Sequence, residues 1–313
     1  MMTDTYTPIL ELRNVVKDFT TGGGFAKTDV FRALNDVSFS IHKGRALALV
    51  GESGCGKSTC ARLITKIYEP TEGEILFRGQ DITQIKARQE VLNYRKSVQM
   101  IFQDPFGSLN PTHTIYHHLA RPLLLHRMCE NDKTKLRERV CELLEMVELP
   151  ALTADKYPHE LSGGQRQRVN MAKTLAVGAD LVLADEPTSM LDVSIRIGVL
   201  DLMQRMKKEF NLGFLYITHD LATAHYIAEE TAVMYKGQIV EWGDTTEVIN
   251  NPQHPYTQLL ISAVPDPDVR FADVIKGDED YSGHAQKIRE ISSAKVDQVK
   301  RVNHNHYVRL LAG

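Results

Sequence analysis

The chain has 313 residues, of which 42% are hydrophobic and 25% are charged, as in an ordinary globular protein of one or two domains. Its net charge of −3 gives no electrostatic reason to expect nucleic acid as the main partner. No run of about 18 apolar residues predicts a membrane span, and the N-terminus lacks the basic start and apolar core of a secretory signal. We therefore expect a cytoplasmic chain.

The N-terminal part of the chain alternates apolar runs with glycine turns. A strand is predicted from Ile9 to Phe19, ahead of a glycine loop. A turn at Lys43-Gly44 separates a second strand from the short apolar strand Ala46–Val50. A helix is predicted to begin near Lys57, and a turn at Arg78-Gly79 joins a further pair of strands.

The middle of the chain alternates helices with buried strands. Ser97–Phe102 predicts one such strand, and the proline-broken helical spacing from 105 to about 160 predicts a helical insertion. Apolar strands are predicted within Leu181–Asp185 and Gly213–Asp220, with a long helix between them, and a hairpin turns at Lys236-Gly237. Short apolar strands that alternate with helices are typical of a mainly parallel sheet.

A phosphate-binding loop is predicted from the stretch GESGCGKST, which fits G-x-x-x-x-G-K-[ST] between a predicted strand and a predicted helix. Its glycines let backbone N–H groups converge on phosphate oxygens at the helix N-terminus. Lys57 is expected to reach the β- and γ-phosphates, Ser58 to bind Mg²⁺, and Thr59 to touch the α-phosphate. The alternative is a glycine-rich turn with a surface lysine. The predicted nucleotide-binding residues of this loop are Gly51, Glu52, Ser53, Gly54, Cys55, Gly56, Lys57, Ser58 and Thr59.

Four polar residues at predicted strand ends point to hydrolysis at this loop. Asp185 is suited to hold Mg²⁺ through a water, and Glu186 to orient and deprotonate an attacking water. His219 would meet the γ-phosphate at the same sheet edge, and Gln103 would bridge Mg²⁺ and the attacking water. Taken singly, the two acids could instead begin a helix, and a histidine or glutamine at a strand end is usually only solvated.

A second glycine turn, LSGGQRQRV, also opens a helix far from the first loop in sequence. The motifs GESGCGKST, IFQDPFGSLNP, LSGGQRQRV, LVLADEPTSMLD and ITHD occur in this order, and the chain thereby resembles the nucleotide-binding subunits of ABC transporters. That resemblance implies that the second turn covers the γ-phosphate of ATP held by a partner subunit. The residues of the turn are Ser162, Gly163, Gly164 and Gln165. Two subunits would then form two composite sites, and a monomer would be nearly inactive.

Other positions take their expected roles from the same resemblance. Phe19 corresponds to the aromatic residue that stacks on adenine, with Phe31 as a rival. Asp192 corresponds to a residue that contacts the partner's phosphate loop, and Met190 stands where an alanine is usual. The Glu186 carboxylate is present, which implies a site that hydrolyses ATP. For the insertion residues Phe106, Leu109 and Pro111, contact with a membrane subunit and burial in the insertion's own core are both open.

The fold implied by the resemblance is an α/β, P-loop ABC-type nucleotide-binding domain. It has a mainly parallel core sheet, an antiparallel β subdomain, a helical insertion and a C-terminal extension. We predict the nucleotide-binding domain over residues 1–250, with the helical subdomain at about 105–175, and the extension over 251–313. The tail NPQHPYTQLLISAVPDPD resembles the C-terminal motif of oligopeptide and dipeptide importers. By itself it predicts only a proline-bounded turn and a short amphipathic helix, Tyr256–Val264.

The importer resemblance implies ATP and Mg²⁺ as cofactors and a location at the cytoplasmic face of the plasma membrane. The implied partners are a second, related ATPase in a heterodimer, two membrane permease subunits and an extracytoplasmic solute-binding protein. The four cysteines fit neither a zinc site nor a disulfide framework, which indicates a reducing compartment. Some relatives hold an iron–sulfur cluster near the C-terminus, but no cysteine follows Cys141 here, so we expect none.

The transported solute stays open, because the ATPase does not touch it. Relatives carry peptides, nickel complexes or oligosaccharides. The stretch Asn303–His306, NHNH, suggests nickel, although histidines on a polar tail are more often bystanders. A soluble ABC ATPase of ribosomes or DNA is disfavoured by the single copy of each motif, the short insertion and the net charge. An exporter subunit is disfavoured by the importer-type tail.

Overall fold

The computed structural model describes residues 7–21, 29–129, 132–262, 281–292 and 298–311. The glycines at 22–24 and the end of the tail motif at 263–268 lie outside these residues. In the ranges that are described, no helix combines the length and the apolarity that crossing a bilayer requires.

The described strands form two sheets. The larger has eight strands, which in spatial order are β11 (Val299–Asn303), β12 (His306–Arg309), β10 (Gln238–Asp244), β9 (Glu230–Tyr235), β3 (Ala46–Val50), β8 (Gly213–Thr218), β7 (Leu181–Asp185) and β6 (Val98–Ile101). The smaller is antiparallel, in the order β2 (Asp29–Ile41), β1 (Leu10–Thr21), β4 (Glu72–Phe77) and β5 (Gln80–Asp81). The predicted pairing of a mainly parallel sheet with an antiparallel one is present.

The described helices surround these sheets. In chain order they are α1 (Lys57–Ile64), α2 (Arg88–Ser97), α3 (Ile115–Leu125), α4 (Lys133–Met146), α5 (Gly163–Ala176), α6 (Val193–Glu209), α7 (Leu221–Ile227), α8 (Thr245–Asn250), α9 (Pro255–Ser262) and α10 (Tyr281–Ile291). Helices α3 to α5 lie within the predicted insertion. Helix α9 begins one residue before the helix predicted from the tail motif.

The central strands are apolar because they are covered on both faces. Every residue of β3 and β8 is buried, as expected for parallel strands between two layers. One core lies between the main sheet and the insertion helices, and a second joins the smaller sheet, α1 and the other face of the main sheet. Leu109 is 2% exposed within the first core, whereas Phe106 and Pro111 are exposed. Of the three insertion residues, Leu109 is therefore a core residue.

Two parts of the fold have no counterpart in the sequence analysis. Helix α2 is polar, and its buried residue is Tyr94. The C-terminal strands β11 and β12 form a hairpin that extends the main sheet through antiparallel pairing of β12 with β10. The predicted division of the chain at residue 250 remains a prediction.

The C-terminal hairpin is held by a buried carboxylate. Glu241 and His306 are completely buried, and Nε2 of His306 donates to Oε1 of Glu241 over 2.7 Å. The backbone N–H groups of Gln253 (2.7 Å) and His254 (3.0 Å) donate to the same carboxylate. Burying a carboxylate costs folding free energy unless its oxygens are hydrogen-bonded, and these three donors supply the hydrogen bonds for Glu241. Of the two histidines of NHNH, His306 is therefore a buried structural residue of the hairpin.

Replacing Glu241 by glutamine should destabilise the fold by about 2 kcal/mol. Both carboxylate oxygens accept hydrogen bonds, so the new amide group must face a donor. Urea unfolding followed by circular dichroism measures the change. The single tryptophan, Trp242, stacks on Tyr307 of β12 and reports the hairpin by fluorescence. The exposed Glu74→Gln variant should stay within about 0.5 kcal/mol of wild type; equal losses in the two variants would contradict this account.

Acid should weaken the fold through His254. Burial lowers the pKa of this histidine to about 4, whereas an unfolded histidine titrates near pH 6.5. Between these two values the unfolded chain binds a proton that folded His254 does not. Its contribution to stability is therefore complete above about pH 6.5 and is lost toward pH 4, by about 1.4 kcal/mol per pH unit.

A His254→Asn variant isolates this effect. Nδ1 of His254 accepts the backbone N–H of Tyr256 over 3.1 Å, and an asparagine oxygen can accept the same bond without titrating. The free energy of unfolding, measured between pH 7 and pH 4, should fall less steeply in the variant. Parallel curves for variant and wild type would show that His254 is not the titrating group.

Candidate functional site

The predicted phosphate loop lies between the central strand β3 and helix α1. Gly51 has no room for a side chain, because a Cβ there would sit 2.2 Å from the carbonyl oxygen of Met234. Gly56 has a φ of 112°, and its Cβ would meet the carbonyl oxygen of Ala33 at 2.8 Å. The two glycines thus let the loop lie close against β9 and β2.

The N-terminus of α1 is open toward the cavity. No side chain caps the helix at Gly56, so its first N–H groups are available to an anion. Lys57 is 5% exposed, and its ammonium group donates to the carbonyl oxygens of Gly51 (2.6 Å) and Glu52 (2.9 Å). A buried cation and an uncapped helix start therefore share one end of the cavity.

Asp185 and Ser58 face each other beside the loop. Ser58 Oγ donates to Oδ1 of Asp185 over 3.3 Å. Burial raises the pKa of Asp185, against the opposing effect of the Ser58 hydrogen bond. A divalent cation would favour the charged carboxylate again, and oxygen ligands of this kind suit Mg²⁺.

Glu186, the residue after Asp185, is the centre of a polar cluster that lines the same cavity. Its carboxylate accepts from Nε2 of Gln103 over 3.1 Å and lies 3.2 Å from Nδ1 of His219. Glu186 has a φ of 44°, a strained conformation for a residue with a side chain and one that is concentrated at functional sites. The structure thus brings together the three residues predicted for catalysis.

One cavity of about 660 Å³ connects these groups, a volume within the range of about 300–1,000 Å³ for small-molecule sites. Phe19 and Phe31 both line it and face each other across β1 and β2. Tyr68 packs its ring edge-to-face against Phe19 at 5.2 Å, whereas Phe31 is 60% exposed. Both aromatic candidates therefore belong to the cavity, and Phe19 is the braced one.

Several predicted loop residues line the cavity directly, and two support it from behind. The lining residues of the loop are Glu52, Ser53, Gly54, Gly56, Lys57, Ser58 and Thr59. Gly51 and Cys55 are buried behind them, and burial raises the pKa of the Cys55 thiol. Within the described ranges, no group of three or more His, Cys, Asp or Glu side chains is arranged to hold a metal ion.

The second glycine turn does not reach this cavity. Ser162 Oγ accepts from the backbone N–H of Gln165 over 3.3 Å, and the Gln165 side chain accepts from the N–H of Ser162 over 3.0 Å. This capping box closes the start of α5. The glycines pack against α6 and its approach, since a Cβ on Gly164 would lie 2.4 Å from Ile195. Asp192 is exposed at the start of α6 and also lies away from the cavity.

Two lining residues were missed by the sequence analysis. Ala33 lies on β2 and Leu260 on α9, and both line the cavity. Neither carries a polar group or a motif position that would mark it in sequence. Leu260 lies in the helix of the tail motif, and its place in that motif is the one sign in the sequence that it could have a role.

Two family models match the chain. The model described as ABC transporter matches residues 34–189, which include the phosphate loop, Gln103 and Glu186, whereas His219 lies beyond the match. The model described as oligopeptide/dipeptide transporter, C-terminal region, matches residues 240–287, which include most of β10 and the tail motif. The two regions that carried the resemblance in sequence are thus matched separately.

Individual relatives agree with these matches. The chain is 46% identical over 260 residues to the oligopeptide transport ATP-binding protein OppF of Bacillus subtilis, which covers 83% of each chain. It is 43% identical over 266 residues to the dipeptide transport ATP-binding protein DppF of Escherichia coli, which covers 84% of this chain and 79% of the relative. A solved dimer of the ATP-binding cassette MJ0796 with ADP and Pi matches with a TM-score of 0.67 at 28% identity, covering 75% of this chain and 98% of that one. The predicted family and fold class are therefore confirmed: the chain belongs to the ATP-binding proteins of the ABC transporter family, in the group that carries the oligopeptide/dipeptide C-terminal region.

Proposed function

We propose that this chain hydrolyses ATP to power the import of peptides through a membrane transporter. The observation that carries the proposal is the single cavity that joins an open helix N-terminus and Lys57 to the Glu186 cluster. Phosphate-binding groups and a carboxylate with two polar neighbours, all in one cavity, are the parts that phosphoryl transfer to water requires.

The phosphate end of the site binds and positions the nucleotide. The N–H groups at the start of α1 and the Lys57 ammonium bind the phosphates, and the Phe19 ring stacks on the base. Ser58, Asp185 and Gln103 offer the hydroxyl, carboxylate and amide oxygens that Mg²⁺ prefers. When bound there, the ion supplies positive charge that neutralises the phosphates. The chain's own contribution is to hold these oxygens beside the loop.

Glu186 acts as the base for the attacking water. Gln103 and His219 each lie within hydrogen-bond distance of its carboxylate, so they fix the direction in which it accepts a proton. His219 is 59% exposed on the cavity side, which leaves its ring free to meet the γ-phosphate. Glu186 is then already in position when the reaction begins. Such preorganisation is a large part of what a site of this kind contributes to catalysis.

A second ATPase subunit completes the site. Ser162, Gln165 and Asp192 lie away from the cavity of their own chain, so they are free to face the cavity of a partner. Beside them, Met190, Val193 and Ile197 expose more than half of their apolar surface. Exposed apolar groups on one face support a subunit interface. We propose a related ATPase as the partner, in a heterodimer with two composite sites.

The proposed cargo and the remaining partners rest on the relatives. OppF and DppF are named for oligopeptide and dipeptide transport, so peptides are the proposed solute. The complex would contain two permease subunits and an extracytoplasmic solute-binding protein, with this chain at the cytoplasmic face of the plasma membrane. Phe106, which is 54% exposed beneath the Arg166 guanidinium at 4.0 Å, offers an apolar contact for a permease.

A Glu186→Gln variant should bind ATP but hydrolyse it at least about a hundredfold more slowly, because an amide does not accept the water's proton. The matched Lys57→Ala variant should instead lose nucleotide binding. ATP affinity and phosphate release, measured on the assembled complex, separate the two effects. Wild-type turnover in Glu186→Gln would exclude Glu186 as the base, and wild-type affinity in Lys57→Ala would exclude the phosphate loop.

Purification from the native host tests the complex. A tagged copy from gently solubilised membranes should bring down two polytopic membrane proteins, a second ATPase and a solute-binding protein that carries a peptide. Phe106→Ala, which leaves the cavity intact, should recover several-fold less of the membrane proteins. Recovery of ribosomal proteins, or of no membrane protein, would overturn the importer assignment, and a different ligand on the binding protein would overturn peptides as cargo.

A further inference from the structure

The tail helix α9 reaches the phosphate loop. Tyr256 is completely buried, and its hydroxyl oxygen accepts the backbone N–H of Glu52, the second residue of the loop, over 3.1 Å. The two residues are 204 positions apart in the chain. They belong to the two regions that the separate family models match. This contact between residues far apart in sequence joins the C-terminal region directly to the nucleotide site.

The position of the Tyr256 hydroxyl is fixed from three sides. Its ring packs on the ring of Tyr235 in β9, with centroids 4.3 Å apart. Its backbone N–H donates to Nδ1 of His254. The backbone of His254 is in turn bound to the buried Glu241 carboxylate, which also binds His306 of the C-terminal hairpin. The Tyr256 hydroxyl is therefore held in place by contacts with the main sheet.

Arg289 makes a second contact with the same loop residue, Glu52. Nη2 of Arg289 in α10 lies 2.8 Å from Oε1 of Glu52, and the backbone oxygen of Arg289 accepts the Tyr235 hydroxyl over 2.9 Å. Both side chains of the ion pair are exposed, so the pair contributes little by itself. The buried hydrogen bond from Tyr256 is the main restraint, and the ion pair is an accessory.

One helical turn beyond Tyr256, Leu260 lines the nucleotide cavity. Residues four apart lie on the same face of a helix, so α9 directs one side chain at the backbone of the phosphate loop and the next into the cavity. Leu260 adds an apolar surface to a cavity whose other apolar lining residues are Phe19, Phe31 and Ala33.

We propose that α9 is part of the nucleotide site. Tyr256 is a positioning residue, which fixes the start of the phosphate loop through the Glu52 N–H, and Leu260 forms a wall for the bound nucleotide. This inference rests on the proposed function and deepens it. It gives the tail motif a role in nucleotide affinity, because a loop held in its binding conformation loses less entropy when phosphate binds.

The test is a Tyr256→Phe variant of the full chain, which keeps the ring and its packing on Tyr235 and removes only the oxygen. Affinity for the magnesium complex of a non-hydrolysable ATP analogue should fall about three- to tenfold, the worth of one hydrogen bond. In the assembled complex, KM for ATP should rise by a similar factor while kcat changes less than twofold. A control Tyr226→Phe variant, which removes a hydroxyl that binds Asp201 and does not line the cavity, should leave both parameters unchanged.

Hydrogen exchange adds a reading that needs no nucleotide. The amide of Glu52 should exchange at least about tenfold faster in Tyr256→Phe than in wild type. Unchanged exchange and unchanged analogue affinity in a folded Tyr256→Phe would overturn the inference. If that variant does not fold, Leu260→Ala leaves the tyrosine in place and should weaken the analogue about threefold; wild-type affinity there would overturn it. Failure of the wild-type chain to bind the analogue would instead refute the proposed function itself.

Discussion

The parallel pairing of β6, β7, β8 and β3 is the constraint on which the site depends. Ile101 pairs with Ala184, Asp185 with Ile217, and Val50 with Thr218, so these strands end at one edge of the sheet. Each polar residue that follows a strand is thereby carried to the same place. The strands are buried on both faces, and a shift in register would move apolar side chains out of two cores at once. Packing of the sheet therefore positions the polar groups without any contribution from their own contacts.

The starts of α1 and α5 show how the same kind of element serves two different purposes. Helix α1 begins at a glycine without a side-chain cap, and it faces a cavity with a buried lysine. Helix α5 closes its own N-terminus with Ser162 and Gln165, and the Ser162 cap is exposed although most of the helix is buried. Within one chain, only the uncapped helix start lies at the cavity with partners for a whole nucleotide. In the proposed dimer, an anion at the start of α5 would have to displace a cap worth about 1 kcal/mol. This cost favours phosphate binding at the α5 turn only when a partner subunit presents its bound nucleotide there.

Local patterns were sufficient for much of the fold. The apolar runs of β3, β7 and β8 and the glycine turns between strands predicted those elements, because each signal lies within a few residues. The polar residues of the Glu186 cluster were found because each one follows such a strand. Helix α2 was missed because it buries little more than Tyr94 and so has no apolar stripe. Strand β11 was missed because it is nearly all exposed and polar.

The contacts that the sequence does not predict have a different physical origin. The polar stretch around His306 gives no local signal that this histidine is buried. Its burial depends on Glu241, which lies 65 residues earlier, and no local pattern carries that information. Tyr256 contacts the site through the same kind of non-local pair, since its partner Glu52 lies 204 positions earlier. Leu260 likewise lines the cavity beside residues that are distant in sequence. Non-local pairs of this kind are set by the fold and appear only once the fold is known.

The same non-local pairs make the C-terminal region part of the mechanism's support. Glu241 binds the backbone ahead of α9 on one side and the C-terminal hairpin on the other. Because a buried carboxylate that loses one donor is strongly destabilised, a disturbance of the hairpin acts on α9, and through Tyr256 on the phosphate loop. In the proposed mechanism, the ABC transporter cassette supplies the phosphate-binding groups and the base. In the proposed site, the tail region sets how firmly the phosphate loop is held, so it acts on the affinity for nucleotide and not on the hydrolysis step.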